Sequence, residues 1–203
     1  MNFELIDNLF QVAVLLTASA IGNVLAFHRQ DRRLLILSLA YASFAIGTSY
    51  WLLHIAIRGE PPQVFCVPEL SWGACYLFYL SIQLLRCERL RIRFSPFALL
   101  YALAMLLHIL RYHIMGPSYF TNYAFSLIIG VMTYLTVYRL LHCAPAHAFD
   151  LCLLVVMLLQ LLLYMISVRM EDFTHFNAYF AVDILLTLCS TLLMPLLARE
   201  VDG

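Results

Sequence analysis

The chain has 203 residues, 64% of them hydrophobic and only 12% charged, with balanced acids and bases and a mean hydropathy of +0.87. Such values belong to a polytopic membrane protein rather than a soluble domain, and a net charge of zero leaves no footprint for nucleic acid. All twelve basic residues are arginine, which excludes a retinal Schiff base and every other lysine-imine chemistry.

Seven apolar segments follow one another, each near the ~20 residues that a bilayer core requires. The first is Leu9–Phe27, closed by the charged run HRQDRR. The second is Leu34–Ile57, followed by the breaker-rich RGEPPQVFCVPE. The third, Leu70–Leu85, is the shortest and leads into RCERLRIRF. The fourth, Pro96–Met115, stops at Gly116-Pro117, and the fifth is Tyr119–Leu141, closed by HCAPAH. The sixth is Phe149–Val168, closed by RMEDFTH, and the seventh is His175–Leu197. Pro96 and Pro117 stand at element starts, where proline's missing donor does no harm. The start is acidic (Glu4, Asp7) and has no basic run, so the first segment is expected to be a retained span, not a cleaved leader. No loop is long enough to form a domain of its own. Residues 1–203 are therefore expected to form one all-α, seven-helix transmembrane domain.

Arginine placement gives the expected orientation. With the N-terminus outside, the inward loops and tail hold Arg29, Arg32, Arg33, Arg86, Arg89, Arg91, Arg93, Arg139 and Arg199, and the outward segments hold Arg58, Arg111 and Arg169. Nine against three is a positive-inside bias, with the C-terminus in the cytoplasm of a cell inner or plasma membrane. The six cysteines contain no CxxC pair and read as structural thiols, with Cys66 in an outward loop.

The seventh span carries Asp183 about two turns from its polar end. An intramembrane carboxylate costs roughly 2.5–3.5 kcal/mol on insertion scales and is normally turned inward towards a partner. Tyr179, Asp183, Thr187 and Ser190 fall on one face at ~100° per residue. Facing stripes are expected from Gly47, Tyr50 and His54 on the second span and from Glu69, Trp72, Tyr76, Tyr79 and Gln83 on the third. The fourth offers His108, Arg111 and Tyr112, the fifth Asn122, Ser126, Gly130 and Thr133, and the sixth Gln160, Tyr164 and Ser167. His54, Glu69, His108, Arg111, Asn122 and Asp183 all fall in the outer half, whereas the inner half reads as apolar apart from its arginine collar. The expectation is an outward-facing polar cavity for a small ligand, in which Arg111 and Asp183 pair and Trp72, Tyr76, Tyr79 and Tyr179 supply aromatic walls.

Competing chemistries find less in the sequence. A zinc or copper site could draw on His54, His108, His113, His175, Asp183 and Glu69, but no HxxxH or HxxEH pair sets two ligands on one helix face. No local motif nominates a nucleophile beside a general base. A transporter would want polar lining in both halves, and no half-chain repeat is present.

The stretch LLILSLAYASFAIGTSYWLLHIAIRGEPP, followed by LSWGACYLFYLSIQLLRCERLRIRF, resembles the multi-helix membrane sensor regions that precede GGDEF cyclase or histidine kinase output domains in bacterial signalling proteins. The likeness spans Leu34 to Phe94 and lies in its texture: an arginine-ended loop, an LAY…FAIG span, a short Gly-Pro loop and a YLFYLSIQLLR span. It implies a sensor whose seventh span continues towards a cytoplasmic output. The sequence ends six residues after Leu197, which points to an output domain removed or to action through a partner. The function expected is a receptor module that binds a small molecule, needs no cofactor, and signals to a cytoplasmic partner or within a homodimer. The alternative is a small transporter or a structural subunit of a membrane complex.

Overall fold

Helix follows helix throughout the computed structural model, which describes residues 3–60, 62, 66–88, 90–112, 119–143, 148–170 and 173–202. The elements are α1 (Phe3–Arg29), α2 (Arg32–Arg58), α3 (Cys66–Cys87), α4 (Pro96–Tyr112), α5 (Tyr119–His142), α6 (Ala148–Ser167) and α7 (Ala178–Asp202). No strand occurs among the described residues. The seven expected spans and the seven helices correspond one to one, but the ends differ. Helix α1 begins six residues before the apolar run, so Asp7 stands on it as a buried residue, as does Gln11 within the run.

Helix ends follow local chemistry. Between α1 and α2 the chain reverses in two residues: Gln30 takes a left-handed conformation (φ 52°), and Asp31 caps α2 by accepting from the Arg33 amide at 2.7 Å. At its other end α2 stops at Gly59, whose φ of 75° suits a residue without Cβ and whose amide returns to the Ile55 carbonyl at 2.8 Å. Pro96 opens α4 immediately after Ser95, and Asn177 caps α7 by accepting from the Tyr179 amide at 2.9 Å.

Packing forms a ring. Helix α1 lies on α2, α2 on α3, α3 on α5, α5 on α6, α6 on α7, and α7 returns to α1 while also touching α2. Helix α4 stands outside this ring against α5. The α1–α2 contact is close because serines face each other, Ser19 donating to the Ser38 carbonyl at 3.0 Å and Ser38 to the Ser19 carbonyl at 2.8 Å. Gly22 extends that approach: a Cβ there would strike the Met194 side chain and sit 3.1 Å from Ser38 Cβ.

The exterior is apolar, with Leu9, Val24, Phe27, Ile57, Phe120 and Leu127 among its exposed side chains. Helices α1, α2, α5, α6 and α7 are long and apolar enough to cross a membrane. Such a surface, with polar groups turned inward, suits hydrocarbon surroundings. Helix α4, at 17 residues, is shorter, and α3 carries Glu69 and Arg86 near its two ends.

Candidate functional site

Polar side chains inside the ring gather in two clusters, one at each end. The first lies at the end where α1, α3, α5 and α7 begin. Here Gln11 Nε2 donates to Asp183 Oδ1 at 3.0 Å and to Thr187 Oγ1 at 3.2 Å. Gln11 Oε1 accepts from Thr48 at 2.8 Å, and Trp72 Nε1 reaches Thr48 at 3.4 Å. The Asp7 carboxyl lies within hydrogen-bonding reach of Asp183, a contact that requires a proton on one of the two acids. Nearby, Tyr76 donates to Gln160 Oε1 at 2.6 Å and sets its ring edge-on against Tyr79 and Phe125. Together α1, α2, α3, α6 and α7 contribute to one polar centre.

Residues of this cluster border a cavity of about 10 Å³, room for about one water molecule, lined by Gln11, Tyr76, Tyr79, Gln160, Thr187 and Ser190 among others. The side chains around it fill the space with contacts to one another.

The sequence-predicted residues divide into two groups. Asp183, Tyr76, Tyr79 and, through Thr48, Trp72 come together as expected, and Tyr179 stands one turn before Asp183, packed edge-on against Phe173. Glu69 is buried on α3 within reach of Thr121 of α5, and its Oε1 has no partner among the described residues. Asn122 is buried on α5. The other three stand apart. His54 meets the Glu60 carbonyl at 2.9 Å in its own turn, and His108 lays its ring on Tyr112. Arg111 is exposed on α4, its guanidinium 5.7 Å from the Tyr112 ring centre.

The expected Arg111–Asp183 pair is therefore corrected. Arg111 sits on the one helix outside the ring, which packs on α5, whereas Asp183 faces α1. Depth along a span says nothing about which helices touch. His113 lies outside the described residues. Among the described residues, no three His, Cys, Asp or Glu side chains converge as metal ligands.

The second cluster corrects the reading of the opposite half as apolar apart from its arginine collar, because Arg86 and Arg139 of that collar turn inward onto a buried acid. At the end where α3, α5 and α7 finish and α6 begins, Arg86 meets Asp150, with Nη2 to Oδ2 at 3.0 Å, and meets Glu200, with Nη2 to Oε1 at 2.6 Å. Arg139 Nε approaches Asp150 Oδ2 at 3.2 Å, and its Nη1 donates to the Arg86 carbonyl at 3.1 Å. Gln83 donates to Asp150 at 2.8 Å and to Thr136 at 3.0 Å. The Arg86 guanidinium lies over the Phe149 ring, 4.4 Å from its centre. Two cations and two acids balance here, with Arg86 and Asp150 buried and Arg139 and Glu200 partly so, and a buried charge needs its partners.

One signal for this second cluster was present. Tyr79, Gln83 and Arg86 share the inward stripe of α3, so the polar face continues to the helix end. Asp150 gave none, because an acid in a helix's first turn already has a reason to be there in the helix dipole.

Comparison with protein-family models, with curated proteins and with solved structures finds no match.

Proposed function

We propose that the protein is a membrane-embedded sensor, in which the Asp183 cluster takes a small polar ligand and α7 conveys the response to the opposite end of the bundle. The observation that carries this reading is the reach of α7. Its Asp183 and Thr187 belong to one polar cluster and its Glu200 to the other, so one helix is a member of both. The arginine bias puts the Asp183 end outside the cell and the Arg86 end in the cytoplasm. Asp7 and Asp183 touch each other with no basic side chain paired to either among the described residues, which favours a ligand that is cationic or donates hydrogen bonds. Trp72 and Tyr76 would offer it aromatic faces.

With room for about one water, the centre admits a larger ligand only if α1 and α7 part. Parting supplies the two states that a receptor must bind unequally. A second reading is favoured by that same tight filling: a structural subunit whose polar core specifies helix packing.

Native mass spectrometry of the wild type, Asp183→Asn and Arg111→Ala separates the two readings. A discrete extra mass on the wild type and on Arg111→Ala, lost from Asp183→Asn, is expected of the sensor. Bare protein in all three, with Asp183→Asn merely less stable, would sink it and leave the structural subunit.

A further inference from the structure

Arg86 uses all five of its guanidinium hydrogens. Nε and Nη2 go to the two oxygens of Glu200 at 3.0 and 2.6 Å. Nη1 goes to Gln83 Oε1 at 2.9 Å and to Asp150 Oδ1, and Nη2 also reaches Asp150 Oδ2 at 3.0 Å. The two acids on this guanidinium are held very differently. The Asp150 side chain is 0% exposed and is gripped also by Gln83 and Arg139. The Glu200 side chain is 17% exposed, and Arg86 is its hydrogen-bond partner among the described residues.

Glu200 can therefore leave by a change of rotamer. The backbone beside it need not move, because Arg29 holds the Ala198 carbonyl at 2.7 Å. Its departure would leave two arginines against one aspartate. It would also free two parallel N–H donors on a guanidinium fixed by Asp150, Gln83 and the Phe149 ring. A rigid fork of that kind, with one uncompensated positive charge, is a receptor for a carboxylate. The rim around it has the same sign, since Arg32, Arg91, Arg93 and Arg199 are exposed at this end.

We propose that Arg86, framed by Asp150, Arg139 and Gln83, is a carboxylate-binding site closed in cis by Glu200, and that an acidic segment of a partner protein docks here by displacing Glu200. A partner carboxylate would take over the two Arg86 contacts, and neighbouring acids would meet the arginine rim. The site goes beyond the ligand reading and does not depend on what binds at Asp183.

The test uses the full chain in nanodiscs of phosphatidylcholine, as wild type and as Glu200→Ala. Sodium acetate, compared with sodium chloride at equal ionic strength, should raise the melting temperature of Glu200→Ala in a saturable way and leave the wild type unchanged. A Glu-rich peptide should bind Glu200→Ala about tenfold more tightly than the wild type, a difference of about 1.4 kcal/mol. Its Gln-substituted counterpart should bind neither. Should Glu200→Ala not stay folded, recovery of folded protein in acetate and not in chloride becomes the readout. Glu200→Gln, which keeps the side-chain length without the charge, then takes the peptide arm. Equal peptide binding by wild type and variant, or no acetate response in the variant, overturns the proposal. A response only to nanodiscs containing phosphatidylglycerol also overturns it, in favour of a lipid phosphate.

Discussion

Gln11 of α1 donates to Asp183 of α7 at 3.0 Å, joining two helices whose residues are 172 apart in the chain. The same amide accepts from Thr48 of α2, so one side chain ties three helices of the ring. Replacing Asp183 by Leu leaves Asp7 without its partner and Gln11 with one acceptor fewer, at a cost of about 1–3 kcal/mol for stranded polar groups. Gln11→Leu should cost a similar amount. Because the two residues share one network, the double variant should lose less than the sum of the singles. Reversible unfolding in mixed micelles measures all four corners of that cycle, and strict additivity would show that the bond contributes nothing.

Helix number and order were legible because they depend on local periodicity, and so were the inward faces of α3 and α5, whereas Tyr50 on α2 and Arg111 and Tyr112 on α4 are exposed instead of facing inward. Of the stripe Glu69, Trp72, Tyr76, Tyr79 and Gln83 on α3, all are buried except Trp72, which is half-buried, and Asn122, Ser126 and Thr133 on α5 are buried too. Partners across helices were not legible. Arg111 and Asp183 looked complementary as the deepest charges of opposite sign, yet the ring leaves α4 outside. Asp7 looked like part of an acidic start outside the span because hydropathy opens it at Leu9, while hydrogen bonding carries α1 back to Phe3. Gln11, inside the span, is a lone amide with no polar neighbour three or four residues on in the apolar run to mark a face. Arg86 and Arg139 looked like a solvated collar, and nothing local distinguishes an arginine facing headgroups from one turned onto Asp150, 64 residues away along the chain from Arg86.

Asp150 holds the second cluster together and receives Gln83, Arg86 and Arg139. Asp150→Asn would leave two arginines facing Glu200 alone. Breaking a buried pair from one side typically costs about 3–5 kcal/mol. The apolar double variant Arg86→Leu with Asp150→Leu removes both charges and should be more stable than Arg86→Leu alone. Chemical unfolding curves on the set check the order, and a double variant worse than the single would show that the arginine is needed for something besides its acid.

The loop between α1 and α2 carries a pH dependence of known sign. Burial opposes the charge on Asp31, but the Arg33 guanidinium and amide outweigh it and hold the carboxyl below its usual range. A depressed folded pKa stabilises the fold above the unfolded value, about 3.9, and that stability is lost as pH falls through the folded value. Asp31→Asn keeps a capping oxygen and removes the charge. The wild type should therefore melt slightly above Asp31→Asn at neutral pH, and the gap should close below about pH 4. The effect is small because the pair is partly solvated, with side chains 29% and 16% exposed. A gap that widens on acidification would reverse the assignment.

Orientation decides which cluster meets which compartment, and it rests on the arginine bias. Arg91, exposed in the chain between α3 and α4, is a position where a cysteine should disturb no packing. With the native cysteines replaced, Arg91→Cys should resist a membrane-impermeant thiol reagent in intact cells and react once the membrane is opened. A cysteine in place of the exposed Glu60, beyond the opposite end of α2, should behave the other way and react in intact cells. Reversal of both results would put the Asp183 cluster at the cytoplasmic side and the Arg86 site outside. An acidic cytoplasmic partner could not then reach Arg86, and a ligand for Asp183 would have to come from within the cell.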